Sequence, residues 1–192
     1  IRDGGLASNP WLQELPDPIS KVTWDNYITM NPVQMEKMGY VTTYDQEHGL
    51  NMATVTVNGQ KVTLPVYPQP GQAFNTFGIA LGYGRGAIGE LIGRGAFQTK
   101  EYGGYELAEN GKRKAIGVNV FPCLGDSKGL PSYSASATIT KIEGEYLIAA
   151  TQIHHTVMGR DSIVRETTLS TFMKGDREAF NPIHKLQRLN EH

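Results

Sequence analysis

The stretch Gly84-Arg85-Gly86-Ala87-Ile88-Gly89 has the glycine spacing of a dinucleotide-binding loop. In such loops the glycines let backbone N–H groups approach a pyrophosphate at the start of a helix. Gly82 and Tyr83 extend the run, and Arg85 offers a guanidinium for a phosphate. A second candidate is the segment Thr151-Gln152-Ile153-His154-His155. Neighbouring residues on a strand point to opposite faces, so His154 and His155 cannot easily share one metal. The other histidines are His48, His184 and His192. One of the pair is therefore expected to be buried and hydrogen-bonded, the other to face a loop or a subunit. Cys123 is the single cysteine. It excludes an internal disulfide, a cysteine-rich zinc site and a cysteine-ligated iron–sulfur cluster within this chain. A buried, inert thiol is the expectation. Asp126 and Ser127 lie nearby, but no Ser/His/Asp arrangement can be argued from their positions. Arg160 and Arg165 could take a phosphate, yet pairing with acids such as Glu166 is expected.

The elements that must position these groups read as mostly β. Three prolines between Asn9 and Pro18 predict an extended arm, not a helix, with Trp11, Leu12 and Leu15 to bury. Val22 to Met30 reads as a strand. Asn31 to Gly39 reads as a small helix: Asn31 as cap, Pro32 at the first position, Gln34 closing a capping box, Gly39 past the end. Met35 and Met38 are spaced to face a core. Asn58-Gly59 between two alternating runs predicts a hairpin with Val55 opposite Val62 and Ala53 opposite Leu64. Thr54 and Thr63, and Thr56 and Lys61, pair on the other face. Pro70-Gly71 marks another turn, and Phe77 to Leu81 a short β run. Residues 86–114 are polar and glycine-rich, and are expected to form a mobile surface excursion. Further strands are expected over Ile116 to Phe121, Ser134 to Ile142 and Tyr146 to Ile153, with Gly144 as a turn between the last two. Leu169, Phe172 and Met173 have helical spacing, with Gly175 as the stop. Mostly β with short helices and no alternating βαβ pattern points to a barrel or sandwich.

This arrangement decides against the dinucleotide fingerprint. The strand before the glycines follows a hairpin, and Gly89, Gly93 and Gly95 would each cost a following helix about 1 kcal/mol. Two readings stay open. Gly82 and Gly84 supply backbone angles for a tight turn, or they let amides approach a bulky ligand. The formal net charge of −1 gives no attraction to nucleic acid, and no apolar run is long enough for a membrane span. The start at Ile1, without a signal peptide, and the stop after His192 suggest an excised or processed segment.

The segments NPWLQELPDPISKVTWDNY, VTVNGQKVTLPVYPQPGQ, GIALGYGR, IGVNVFP, TQIHHTVMGR and IVRETTL occur in this order. In that order they resemble the C-terminal molybdopterin-dinucleotide-binding-type domain of complex iron–sulfur molybdoenzymes. Within that family the resemblance is to the large iron–sulfur subunit of bacterial alternative complex III. It implies a six-stranded double-psi β-barrel over residues 21–165, with about 86–114 as an insertion, an arm over 1–20 and a C-terminal short helix and tail over 166–192. It implies a scaffold and interaction role in a quinol-oxidising respiratory electron-transfer complex, with no catalytic residues in this segment. The alternative is a working pterin-dinucleotide-binding domain of a polysulfide- or thiosulfate-reductase-like enzyme. Any molybdopterin guanine dinucleotide would then meet Gly82, Tyr83, Gly84, Arg85, Gln152, His154 and His155, as a relic or weak site. No cofactor is otherwise expected in the segment, and iron–sulfur clusters are expected in a separate domain. The implied partners are other domains of the parent chain and other subunits of a membrane-associated complex. The implied location is the periplasmic side of the inner membrane, peripheral, without direct insertion.

Overall fold

The computed structural model describes residues 9–45, 48–84, 116–153 and 165–182. The expected excursion at 86–114 lies outside them. The chain divides into two units, Ile1–Thr151 and Gln152–His192. The described residues are mainly strand with short helices.

In the first unit, strands β1 (Ile28–Met30), β2 (Leu50–Val57), β3 (Gln60–Pro68), β4 (Gly78–Ile79) and β7 (Ala137–Tyr146) form one sheet in the order β4-β1-β3-β2-β7. β1 and β3 run parallel; the other neighbours are antiparallel. Strands β5 (Gly125–Ser127) and β6 (Leu130–Ser132) make a separate hairpin. Among the described residues the main sheet is open, with β4 and β7 at its edges.

The β2–β3 hairpin follows from its turn. Asn58 and Gly59 both have positive φ, +50° and +77°, which suits the right-handed twist of the flanking strands. The turn fixes the register, so Val55 pairs with Val62, Ala53 with Leu64, Thr54 with Thr63 and Thr56 with Lys61. Ala53, Val55, Val62 and Leu64 consequently share one buried face with Val66, Ile28 and Met30. Each fully buried Val, Leu or Ile side chain contributes about 1.5–3 kcal/mol relative to exposure. On the opposite face Thr54 and Thr63 hydrogen-bond through their hydroxyls at 2.9 Å.

Helix α2 (Pro32–Lys37) lays Met35 into this core, while Met38 stays partly exposed. The Asn31 side chain accepts from the N–H groups of Val33 and Gln34, and Gly39 leaves the helix at φ +74°. Gln34 does not close a capping box back onto Asn31. Its side chain instead holds Asn75, accepting from the Asn75 N–H at 2.7 Å.

Several expectations are corrected. The arm contains a helix, α1 (Pro10–Glu14): Pro10 occupies the first turn, where no N–H is needed, and Pro16 falls beyond the end. Asn9 caps it by accepting from the Trp11 N–H. Trp11 itself is 82 % exposed on this chain. The strand expected over Val22 to Met30 is confined to β1, because Lys21 and Trp24 both sit at φ +63° and bend the chain. Gly144 is not a turn. It lies inside β7 at φ +109°, where Met52 of β2 falls between register pairs Asn51–Glu145 and Ala53–Lys141, so the extra β7 residues form a bulge. Of the strand expected over Tyr146 to Ile153, Tyr146 ends β7 opposite Leu50, and the rest keeps only a single bridge, Val22 to Ala150. Ile116 to Phe121 is not a strand; it runs irregularly into a 3₁₀ turn at Phe121–Cys123, where Pro122 removes a donor.

In the second unit, α3 (Leu169–Met173) is capped by Thr168 and ends before Gly175 at φ +70°. α4 (Arg177–Phe180) follows, and the Phe172 and Phe180 rings lie 5.6 Å apart. The Arg165 guanidinium donates to Asn181 and to the Pro182 carbonyl, not to Glu166. No helix among the described residues is long and apolar enough to cross a membrane.

Candidate functional site: a glycine loop clasped by a buried asparagine

Asn26 is 1 % exposed and lies just before β1. A primary amide buried this deeply must use its donors and acceptor or cost several kcal/mol. Its Nδ2 donates to the Ala80 carbonyl at 3.0 Å and to the Val118 carbonyl at 2.9 Å. Its Oδ1 accepts from the Val118 N–H at 2.9 Å. One side chain thereby fastens the end of β4 to residues 116–119, far away in sequence. The Gly84 N–H donates to the Ile116 carbonyl at 3.2 Å and closes the same seam.

The glycines fit this clasp. Gly82, Gly84 and Gly117 have φ of +82°, +72° and +72°. A Cβ on Gly84 would lie 2.9 Å from the Asn119 nitrogen and 3.1 Å from the Gly117 oxygen. A Cβ on Gly117 would lie 2.7 Å from Asn26 Oδ1 and 2.8 Å from Tyr83 Cβ. The room at Gly84 and Gly117 is taken by the protein's own backbone, Asn26 and Tyr83. The Gly84 N–H, which a phosphate would need, is already donated. The Gly84 amide is therefore committed within the chain and not free for a phosphate.

Beside the loop lies a group of half-buried phenols. The Tyr27 and Tyr67 rings are 5.0 Å apart, and those of Tyr44 and Tyr67 5.8 Å. Tyr27 and Ser20 share a hydroxyl–hydroxyl hydrogen bond, and the Tyr67 hydroxyl donates to the Ser20 carbonyl at 2.8 Å. Asp17 accepts from the N–H groups of Ile19 and Ser20, which sets the turn that carries Ser20. Burial pushes the Tyr27 phenol up to about 12, and burial followed by the Asp17 and Asp25 charges raises Tyr83. Tyr27, Tyr67 and Tyr83, all raised, stay neutral at physiological pH and act as hydrogen-bonding groups, not bases.

Asp25 is a strongly perturbed acid. It is 6 % exposed, and burial raises its pKa from 3.8 to about 7 against the lowering effect of two donors, the Tyr146 hydroxyl at 2.8 Å and the Ala149 N–H. Cys123 is buried, and burial raises its thiol, so it is a poor thiolate nucleophile. His48 and Asp45 form an exposed pair at 3.0 Å. Among the described residues, no group of three or more His, Cys, Asp or Glu could hold a metal.

Of the residues singled out by sequence, Gly82, Tyr83 and Gly84 come together at the clasp. Gln152 belongs to the second unit, exposed and at φ +59°. Arg85, His154 and His155 lie outside the described residues. Sequence reasoning missed Asn26, Asp25 and Tyr146. The signal was there: Asp25 and Asn26 interrupt a run otherwise read as an apolar strand, and a buried polar pair demands partners. No protein-family model matches this chain, and no curated protein sequence matches it significantly.

Proposed function

We propose that this chain is a scaffold and interaction domain of a molybdopterin-oxidoreductase-type iron–sulfur subunit in a quinol-oxidising respiratory complex. In this reading the barrel is a six-stranded double-psi barrel, and the domain carries no catalytic residues. It sits on the periplasmic side, peripheral to the membrane, and its iron–sulfur partners belong to a separate domain. The observation that carries the reading is the packing of Gly84, the first residue of the glycine run. Gly84 is packed on the backbone of residues 117–119, and its amide is spent within the chain. A domain that had to grip a pterin dinucleotide there would keep that amide available. The interaction role is supported by large apolar side chains held outward: Trp11, Leu15 and Ile19 are 82 %, 62 % and 72 % exposed.

The test is molybdenum, tungsten and pterin analysis of the protein purified in its native assembly, alongside Trp11→Ala. The scaffold reading expects neither metal nor pterin in stoichiometric amount, and loss of assembly in Trp11→Ala with the fold intact. Stoichiometric metal and pterin would instead support the working polysulfide- or thiosulfate-reductase-like domain.

A further inference from the structure

The last residues of the first unit are tied to the segment before β1 by a compact set of bonds. The Thr23 N–H and hydroxyl both donate to the Ala149 carbonyl, at 2.8 and 3.2 Å. The Thr151 N–H and hydroxyl donate to the Lys21 carbonyl, at 2.9 and 3.3 Å. Val22 and Ala150 form an antiparallel bridge between them. At the end of this seam lies Asp25, its carboxyl between the Tyr146 hydroxyl of β7 and the Ala149 N–H.

No described cation is paired with Asp25. Lys21, the nearest cation along its own segment, gives its ammonium to the Pro18 carbonyl at 2.8 Å. From β7 it faces the Tyr146 hydroxyl. From the glycine loop it faces Tyr83, a phenol whose pKa it helps to raise. Among the described residues, the side chain is thus a buried carboxyl held by two donors with no positive charge beside it. Two donors do not match the hydration of a carboxylate, so ionisation in place is costly. Water can reach the group if residues 147–151 lift away. Ala149 and Thr151 are already exposed on their outer side, so lifting sacrifices little packing.

We propose that Asp25 is a protonation-sensitive latch, holding residues 147–151 on residues 21–25 while its carboxyl is neutral and loosening them when it ionises. The sign follows from linkage. The closed state favours the protonated carboxyl more strongly than the open one, so opening becomes easier as pH rises above the ordinary carboxyl value and levels off once the closed form has also ionised. The midpoint of the closed form lies at about 7, inside the physiological range.

The test is amide hydrogen exchange of the full 192-residue chain, corrected for intrinsic rates, read at Thr23 and Thr151. Between pH 5.5 and 8.5 the opening constant should rise roughly thirty-fold, from linkage with a closed carboxyl near 7 and an open one near its ordinary value. Asp25→Asn keeps an acceptor for Tyr146 and Ala149 but cannot ionise, and should flatten this dependence. Tyr146→Phe removes a donor that favours the ionised form, and should move the midpoint upward. Should Asp25→Asn not fold, carbon-13 titration of the wild-type Asp25 carboxyl decides. A midpoint near neutrality that coincides with the change in exchange supports the latch. A carboxyl titrating near its ordinary value, an unchanged opening constant, or a pH dependence that persists in Asp25→Asn overturns it.

Discussion

Asn26 and Gly84 are the residues on which the candidate site stands or falls. Asn26→Ala would leave the Ala80 and Val118 carbonyls and the Val118 N–H without a partner in a buried seam. At about 1–3 kcal/mol for each unsatisfied group, partly relieved by water, the expected loss is about 3 kcal/mol. Denaturant unfolding measures it, and a loss below about 1 kcal/mol would mean that the seam does not depend on Asn26. Gly84 can be compared with Gly59. Both have positive φ, +72° and +77°, but a Cβ on Gly59 meets nothing within 4 Å, whereas one on Gly84 strikes the backbone of residues 117–119. Gly59→Ala should cost the backbone strain alone, about 1–2 kcal/mol. Gly84→Ala adds a clash with groups that cannot rotate away, and should cost about 2–5 kcal/mol in all. Equal costs at the two sites would contradict the packed-loop reading.

Among the elements, α2 shows how one side chain serves two structures. Asn31 caps the helix through the Val33 N–H at 2.9 Å and also donates to the Gln72 carbonyl at 2.7 Å, in the loop between β3 and β4. Asn31→Ala should therefore cost about 2 kcal/mol, while Asn31→Asp keeps the cap and should cost less. Thermal unfolding of the two variants orders them, and an Asp variant as unstable as Ala would show that the Gln72 link outweighs the cap. Elements of this kind were legible in sequence wherever a local device fixes them: Asn58-Gly59, Asn31-Pro32 with Gly39, and Leu169 to Met173 before Gly175. Others were not, for physical reasons. Gly144 reads as a turn because glycine permits both a turn and a bulge, and only the pairing of β7 with β2 decides between them. The prolines of the arm read as extended because their positions at the start and past the end of α1 matter more than their number. The β5–β6 hairpin turns on Lys128 at φ +57° and Gly129 at φ +80°, with Asp126 accepting from the Gly129 N–H. A lysine at the first turn position is a weak signal, which hid it.

At the scale of the whole molecule, the site was half legible. Gly82 and Gly84 stood out as glycines, and a tight turn with positive φ at one or the other was one of the two readings; both have it. Their partner was not, because the bonds of Asn26 reach Ala80 and Val118 across distances in sequence that no local pattern encodes. The same holds for Asp25 and Tyr146. Their pairing has a consequence for the stability of the chain. A carboxyl whose folded pKa is raised from 3.8 to about 7 contributes most when protonated. Its contribution is complete below the unfolded value, falls as pH rises between the two and stops falling above about 7. The full change is on the order of 4 kcal/mol. Wild type should lose stability relative to Asp25→Asn between pH 4 and 8, read as a change in denaturant midpoint at constant slope. A difference that does not vary with pH would refute this.

The central claim is that Gly84 belongs to a packed clasp and not to a cradle for a nucleotide phosphate. Calorimetric titration of the chain with guanosine diphosphate, a nicotinamide dinucleotide and a flavin dinucleotide tests it most directly. The account predicts no saturable heat with any of the three. Saturable micromolar binding, abolished by Gly84→Ala in protein that remains folded, would contradict it.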